Sequence, residues 1–211
     1  MKWLASIGLS GFLLALFAAV TSIAIGWTYL STKSQIDLEV RRAEARQLLE
    51  IFPADTHDNE MVDDTFTIDA ETSLLGIRVA RQGYRVRLND EVIGVILPTT
   101  ARDGYSGDIR ALVGIRRDGT VAGIRVVAHR ETPGLGDKVD IRKSDWVTDF
   151  NQRSLDDPTP PGWNVKKDGG VFDQFTGATV TPRAVILATR RALEYANLHT
   201  ASLFETGADS A

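Results

Sequence analysis

The sequence predicts an α+β protein: an N-terminal transmembrane helix followed by one domain in which an antiparallel sheet is flanked by helices. Three observations carry this expectation. Residues 3–32 hold no charged side chain. Tyr84, Val86 and Leu88 alternate with Arg85 and Arg87, the period-2 pattern of a strand wet on one face. Close to the C-terminus, Thr181-Pro182 opens a stretch to about Asn197 that contains no helix breaker, with Thr181 as N-cap and Pro182 at the first helical position.

The apolar run comes first along the chain. As a helix it would extend about 45 Å, more than the roughly 30 Å hydrocarbon core of a bilayer. Trp3, Trp27 and Tyr29 stand near its two ends, where amphipathic rings favour the headgroup region. A cleaved signal peptide would have a shorter apolar core, about 7–15 residues, so a retained anchor in the lipid bilayer is the favoured reading. Lys2 on one flank opposes Lys33, Arg41, Arg42 and Arg46 on the other. By the positive-inside rule these charges lean away from export of the following domain and do not fix its side.

Beyond the anchor, Ser34 is a candidate cap for an amphipathic helix through Ile51, with Leu38, Ala45, Leu49 and Phe52 at helical spacings and Pro53 ending it. Residues 54–72 are polar and acidic and read as a loop. Strands are expected at Tyr84–Leu88, at Val92–Leu97 closed by Pro98, and at Ile109–Arg116 and Val121–Ala128 around the hairpin signal Asp118-Gly119. Residues 151–170 carry three of the seven prolines and read as an irregular connection. The expected organisation is an anchor over 1–33, amphipathic helix and linker over 34–70, the main domain over 71–200 and a tail over 201–211.

Composition excludes several functions. A net charge of −4, with no face rich in Lys and Arg interleaved with aromatics, argues against nucleic-acid binding. The absence of cysteine excludes disulfides, thiolate-held clusters and a Cys nucleophile. His57, His129 and His199 have no metal-ligand spacing, so no metal site is expected. No nucleophile elbow or phosphate-binding Walker loop occurs, and no catalytic side chain is assigned.

Three segments remain. Asp173-Gln174-Phe175-Thr176-Gly177-Ala178-Thr179 precedes the last helix, where free N–H groups and the helix dipole favour a phosphate and Gly177 permits close approach. Thr and Gly before Pro also open ordinary helices, and both readings stand on the residues alone. Glu131-Thr132-Pro133-Gly134-Leu135-Gly136-Asp137-Lys138 follows a predicted strand and could wall a flat ligand or simply turn the chain. Asp103-Gly104-Tyr105-Ser106-Gly107 reads as a turn.

Taken in chain order after the apolar anchor, the 103–107 and 131–138 segments, Lys166-Lys167-Asp168-Gly169-Gly170 and the 173–179 segment resemble the G subunit of the Rnf/Rsx electron transport complexes, a family related to the C subunit of sodium-translocating NADH:quinone reductase. The resemblance covers nearly the whole chain. It implies that a flavin transferase esterifies the phosphate of FMN onto Thr179, in a motif falling on Asp173, Thr176, Gly177, Ala178 and Thr179. Thr181 is the competing hydroxyl, its oxygen taken up as the predicted N-cap. By the same resemblance, Glu131, Thr132, Gly134, Leu135 and Gly136 pack near the isoalloxazine ring. The implied role is electron carrier within a membrane-bound ion-translocating ferredoxin/NAD oxidoreductase, a redox subunit rather than a self-contained enzyme. Its partners would be the other subunits, and it would cross the bacterial inner membrane once with its domain on the periplasmic side. Two rivals stand beside it: a cofactor-free membrane-tethered assembly scaffold, resting on the anchor and the 34–52 helix, and a free-standing flavinylated reductase.

Overall fold

Alternating side chains after residue 64 build a five-stranded antiparallel meander in a computed structural model that describes residues 2–70 and 73–204, the side chains of residues 2–10 and 34 excepted. The strands are β1 (Thr65–Ile68), β2 (Arg81–Leu88), β3 (Glu91–Ala101), β4 (Ile109–Arg116) and β5 (Val121–Ala128), paired in chain order. The helices are α1 (Lys2–Leu49), α2 (Val180–Leu198) and α3 (Thr200–Phe204). The α+β class expected from sequence is therefore the one found. Expectations resting on the side chains of Lys2, Trp3 and Ser34, and on residues 205–211 of the tail, lie outside the described residues.

The chain divides into two compact units, Met1–Glu44 and Ala45–Ala211. In the first, the described side chains from Gly11 to Lys33 are almost all exposed, including Phe12, Phe17, Ile23 and Trp27. Such a surface suits lipid rather than water, and among the described residues α1 alone is long and apolar enough to cross a membrane. Its backbone continues through residue 34 without the fresh start expected there.

In the second unit both faces of the sheet are covered. Tyr84, Val86, Ile96, Leu112 and Ala122 face Leu48, Ile51, Phe52 and Met61. The opposite face presents Val95, Leu97, Val113, Ile115 and Ile124 to a larger core that includes α2. Alternation along β3 sends Ile96 one way and Val95 and Leu97 the other, and all three are fully buried. Each such side chain contributes about 1.5–3 kcal/mol relative to exposure. Gly94 and Gly114 flatten the first face: a Cβ at Gly114 would lie 2.2 Å from Ile51 Cγ2, and one at Gly94 2.5 Å from Phe52 Cζ. Gly114→Ala is expected to lower stability by about 1–3 kcal/mol through overpacking, read as a fall in unfolding midpoint.

Two strand expectations change. β3 runs through Pro98 instead of ending before it, because the β2 pairing stops at Tyr84↔Ile96 and the proline stands where no β2 residue needs its missing N–H. The expected loop over 54–72 contains β1, a short edge strand seated where Phe66 lies on Gly83. Asn89 and Asp90 both adopt positive φ, the geometry of a type I′ hairpin turn.

α2 packs on β3 and β4 through a stripe of small residues, Ala184, Ala188, Ala192 and Ala196, one every fourth position. That close approach places the N-terminus of α2 beside the loops leaving β3 and β5, where the motifs singled out in the sequence lie.

Candidate functional site

The Asp173–Thr179 segment rests on aromatic residues. Phe172 and Phe175 are buried, Phe172 stacking on Phe150 at 4.4 Å and Phe175 meeting Trp146 edge-on at 5.1 Å. Trp146 donates its indole N–H to the Asp173 carbonyl at 2.8 Å. With Phe172 and Phe175 turned inward, Asp173, Thr176 and Gly177 are left exposed and Ala178 and Thr179 half-buried. The Lys166–Asp168 turn is tied to the same segment: Lys166 pairs with Asp173 at 2.7 Å, and the Lys167 N–H donates to the Gln174 side-chain oxygen at 3.2 Å. Asp168 takes Arg183 of α2 in a two-pronged pair at 2.6 and 2.9 Å. The Arg183 guanidinium holds the exposed Asp168 carboxyl below the usual carboxylate range.

α2 begins two residues earlier than the Thr-Pro signal implied. Thr179 is the N-cap, with φ −69° and ψ −23°, and its hydroxyl makes no capping hydrogen bond. Thr181, expected as the cap, is instead inside the first turn and fully buried. Its hydroxyl donates to Glu131 Oε2. Two threonines two residues apart thus have opposite fates, one hydroxyl free and half-exposed and the other consumed by an internal bond.

Glu131 organises the rest. Its side chain is buried; Oε1 accepts the Ser106 N–H at 2.9 Å and Oε2 accepts from Thr181. One carboxylate therefore joins the Asp103–Gly107 turn, the loop after β5 and the helix start. The Glu131 N–H donates to His129 Nδ1 at 3.2 Å. Gly136 fits beneath: an added Cβ would approach Glu131 Oε2 and Thr181 Oγ1 to 2.8 Å each, so any side chain there would separate loop from helix. The Thr132 carbonyl accepts the N–H groups of Leu135 and Gly136 at 3.1 Å and folds the intervening Pro133-Gly134 outward. Gly134 and Gly177 both take positive φ, +77° and +80°. Leu135, 43% exposed, reaches within 3.8 Å of where a Gly177 Cβ would stand, which brings the two glycine loops together.

The loop closes on Asp140, a buried carboxylate that accepts from the Arg142 backbone N–H at 2.9 Å and from its guanidinium. That guanidinium holds the Asp140 carboxyl below its ordinary value. A depressed folded pKa adds stability that is present above the unfolded carboxylate range and lost as pH falls through the folded value. Asp140→Asn is expected to cost about 1 kcal/mol near neutral pH, a deficit that disappears in denaturation curves measured at progressively more acidic pH.

Of the sequence-derived site residues, Thr132, Gly134, Leu135, Asp173, Thr176 and Gly177 are exposed, Ala178 and Thr179 partly so, and Glu131 and Gly136 are buried beneath them. Sequence reasoning missed the roles of Trp146, Ser106 and Arg183. Each acts through a partner at least 15 residues away, with no local pattern to reveal it. Among the described residues no cluster of metal-ligating side chains occurs.

This arrangement fits an FMN phosphoester. It offers a hydroxyl without a capping bond at a helix N-terminus, where unpaired N–H groups and the dipole favour an anion, beside two glycine loops and exposed apolar side chains at Leu135 and Val180.

Comparison with known proteins agrees with FMN as the bound group. Residues 104–194 match the FMN-binding domain family, and residues 1–51 match the RnfG N-terminal region. The G subunit of the ion-translocating oxidoreductase complex from Pseudomonas aeruginosa (strain UCBPP-PA14) is 48% identical over 183 residues, covering 87% of this chain and 85% of that protein. The corresponding G subunit from Vibrio cholerae (strain M66-2) is 40% identical over 200 residues, 95% of each chain. That of Pseudoalteromonas atlantica is 42% identical over 195 residues, 92% of this chain and 90% of the relative. The chain belongs to the family of G subunits of ion-translocating oxidoreductase complexes.

Proposed function

We propose that this protein is an electron-carrier subunit of a membrane-bound ion-translocating ferredoxin/NAD oxidoreductase and carries FMN bonded through its phosphate to Thr179. The observation that carries the linkage is the contrast between the Thr179 hydroxyl, half-exposed and without a capping bond, and the Thr181 hydroxyl, buried and donated to Glu131. Family membership and the FMN-binding domain match support the redox role.

Esterification by a flavin transferase would pass the FMN phosphoryl group from an activated flavin nucleotide to the Thr179 oxygen: the new O–P bond forms as the donor's P–O bond to its leaving group breaks, and the hydroxyl proton departs with that group. The N–H groups of the first α2 turn would then face the remaining negative charge. Exposed Thr176 and Gly177 leave the hydroxyl approachable from solvent. Leu135 and Gly134 of the outward loop, with Thr132 behind them, would bound the ring, while Glu131 and Gly136 hold that loop against α2. When bound, the flavin supplies reversible electron uptake and release, and covalent attachment keeps it on the chain through both states. The other subunits of the complex would be its electron partners. The anchor would hold the protein in the inner membrane, with the domain on the periplasmic side.

A denaturing gel of the protein purified from its own host tests this. Flavin fluorescence migrating with the 23.1 kDa chain is the expected result. A colourless band from cells with an active flavin transferase would favour the cofactor-free scaffold.

A further inference from the structure

We propose that a second site, separate from the Thr179 segment, binds a phosphoryl-type oxyanion in an arginine-lined cleft. The cleft, about 610 Å³, is lined by Ser73, Gly76, Arg78, Thr100, Arg102, Asp103 and Arg191. Arg191 lies on α2 twelve residues beyond Thr179, about 18 Å along the axis at 1.5 Å per residue. The cleft contains none of the 131–136 or 173–179 residues and meets that site only at the Asp103–Gly107 turn, where Asp103 lines the cleft and Ser106 is tied to Glu131.

The cleft is built by fixed backbone. Gly76 has φ +67°, and a Cβ there would lie 2.2 Å from the Thr100 carbonyl oxygen, so the 73–76 turn sits directly on the end of β3. The Thr100 N–H and the Thr99 hydroxyl both donate to the Leu75 carbonyl, at 2.8 and 3.2 Å. Arg102 donates its Nε–H to the Gly76 carbonyl at 2.8 Å, which orients its guanidinium at the cleft.

The chemistry is strongly one-sided. Among the described lining residues there are three guanidiniums and one carboxylate, Asp103, on a chain whose net charge is −4. Among the described residues Arg78, Arg102 and Arg191 make no ion pair, whereas Arg85, Arg87, Arg125, Arg142 and Arg183 each do. A carboxylate presents two oxygens in one plane, which one guanidinium fork matches. Three forks with the Ser73 and Thr100 hydroxyls offer more donors than that, and match the three peripheral oxygens of a phosphoryl group.

The same group could arrive as a free phosphate or on a phospholipid headgroup, and two measurements separate these sources. Calorimetric titration of the full chain in detergent micelles with inorganic phosphate, at low ionic strength, is expected to show saturable binding. Arg78→Gln or Arg191→Gln should weaken it by about tenfold or more, and acetate should not substitute. Arg102 is left intact because it also holds the 73–76 turn. In parallel, hydrogen exchange over residues 73–78 and 99–103 is followed in nanodiscs of phosphatidylcholine with and without phosphatidylglycerol. Protection that needs phosphatidylglycerol and is lost in Arg191→Gln, without free phosphate binding, supports the site with a lipid headgroup as its source. Phosphate binding unchanged in both arginine variants, acetate binding as tight as phosphate, or no response in either measurement overturns the proposal.

Discussion

Thr179→Ala is expected to yield a folded subunit that carries no covalent FMN and to reduce ferredoxin/NAD electron transfer by its complex to background, while the complex still assembles. The fold should survive because the Thr179 side chain is half-exposed and makes no capping hydrogen bond, so truncation leaves no buried donor unpaired. Thr181 should not take over the modification, since its hydroxyl is fully buried and already donated to Glu131. Thr179→Ser restores a hydroxyl at the same backbone position and should restore both flavin and electron transfer. Gel fluorescence and the electron-transfer rate of purified complexes check these outcomes. Full electron transfer by the alanine variant would place the electron path elsewhere and favour a scaffolding role.

The second large effect falls on Glu131. Replacing it with alanine leaves the Ser106 N–H and the Thr181 hydroxyl without their buried acceptor and opens space above Gly136. Unsatisfied buried groups in one network make this expensive, about 2–4 kcal/mol, or a fall in unfolding midpoint of roughly 5–15 °C for a domain of this size. Flavin occupancy should fall with it, because the loop that holds Leu135 near Gly177 loses its tie to α2. Glu131→Gln should recover most of the stability: the amide oxygen can accept from Ser106 and its NH₂ can donate to the Thr181 oxygen. Thermal unfolding and flavin-to-protein ratios of the three proteins distinguish these cases, and an alanine variant as stable as the parent would contradict the role given to Glu131.

The sequence carried most of the fold because its signals were local. β4 and β5 fall on the residues expected from Asp118-Gly119 and the flanking apolar runs, and the turn at Gly119 takes the positive φ that glycine permits. The missed strand, β1, is four residues long and owes its place to packing of Phe66 on Gly83, a contact between distant segments. Pro98 misled because proline removes a donor only where a neighbouring strand would use it, and register is not visible in one sequence. The start of α2 was displaced for a similar reason. Thr181 and Pro182 have the chemistry of a cap and first turn, but the tertiary bond to Glu131 draws Thr181 inside the helix.

The candidate site was legible as motifs and not as geometry. Nothing in the spacing of Glu131, Ser106 and Thr181 says that one carboxylate joins them, nor that the conspicuous Glu131 and Gly136 lie beneath the surface while Leu135 and Gly134 reach it. The support from Trp146 under Asp173 was equally hidden. Long-range hydrogen bonds to backbone groups leave no pattern in composition or periodicity.

The proposed bond between FMN and Thr179 is open to direct measurement. Intact mass of the chain purified from its own host, followed by mapping of the peptide spanning residues 167–183, addresses it directly. The expected result is an added mass of one FMN less one water, located on Thr179. An unmodified peptide from cells with an active flavin transferase, or the same added mass on Thr176 or Thr181, would contradict it.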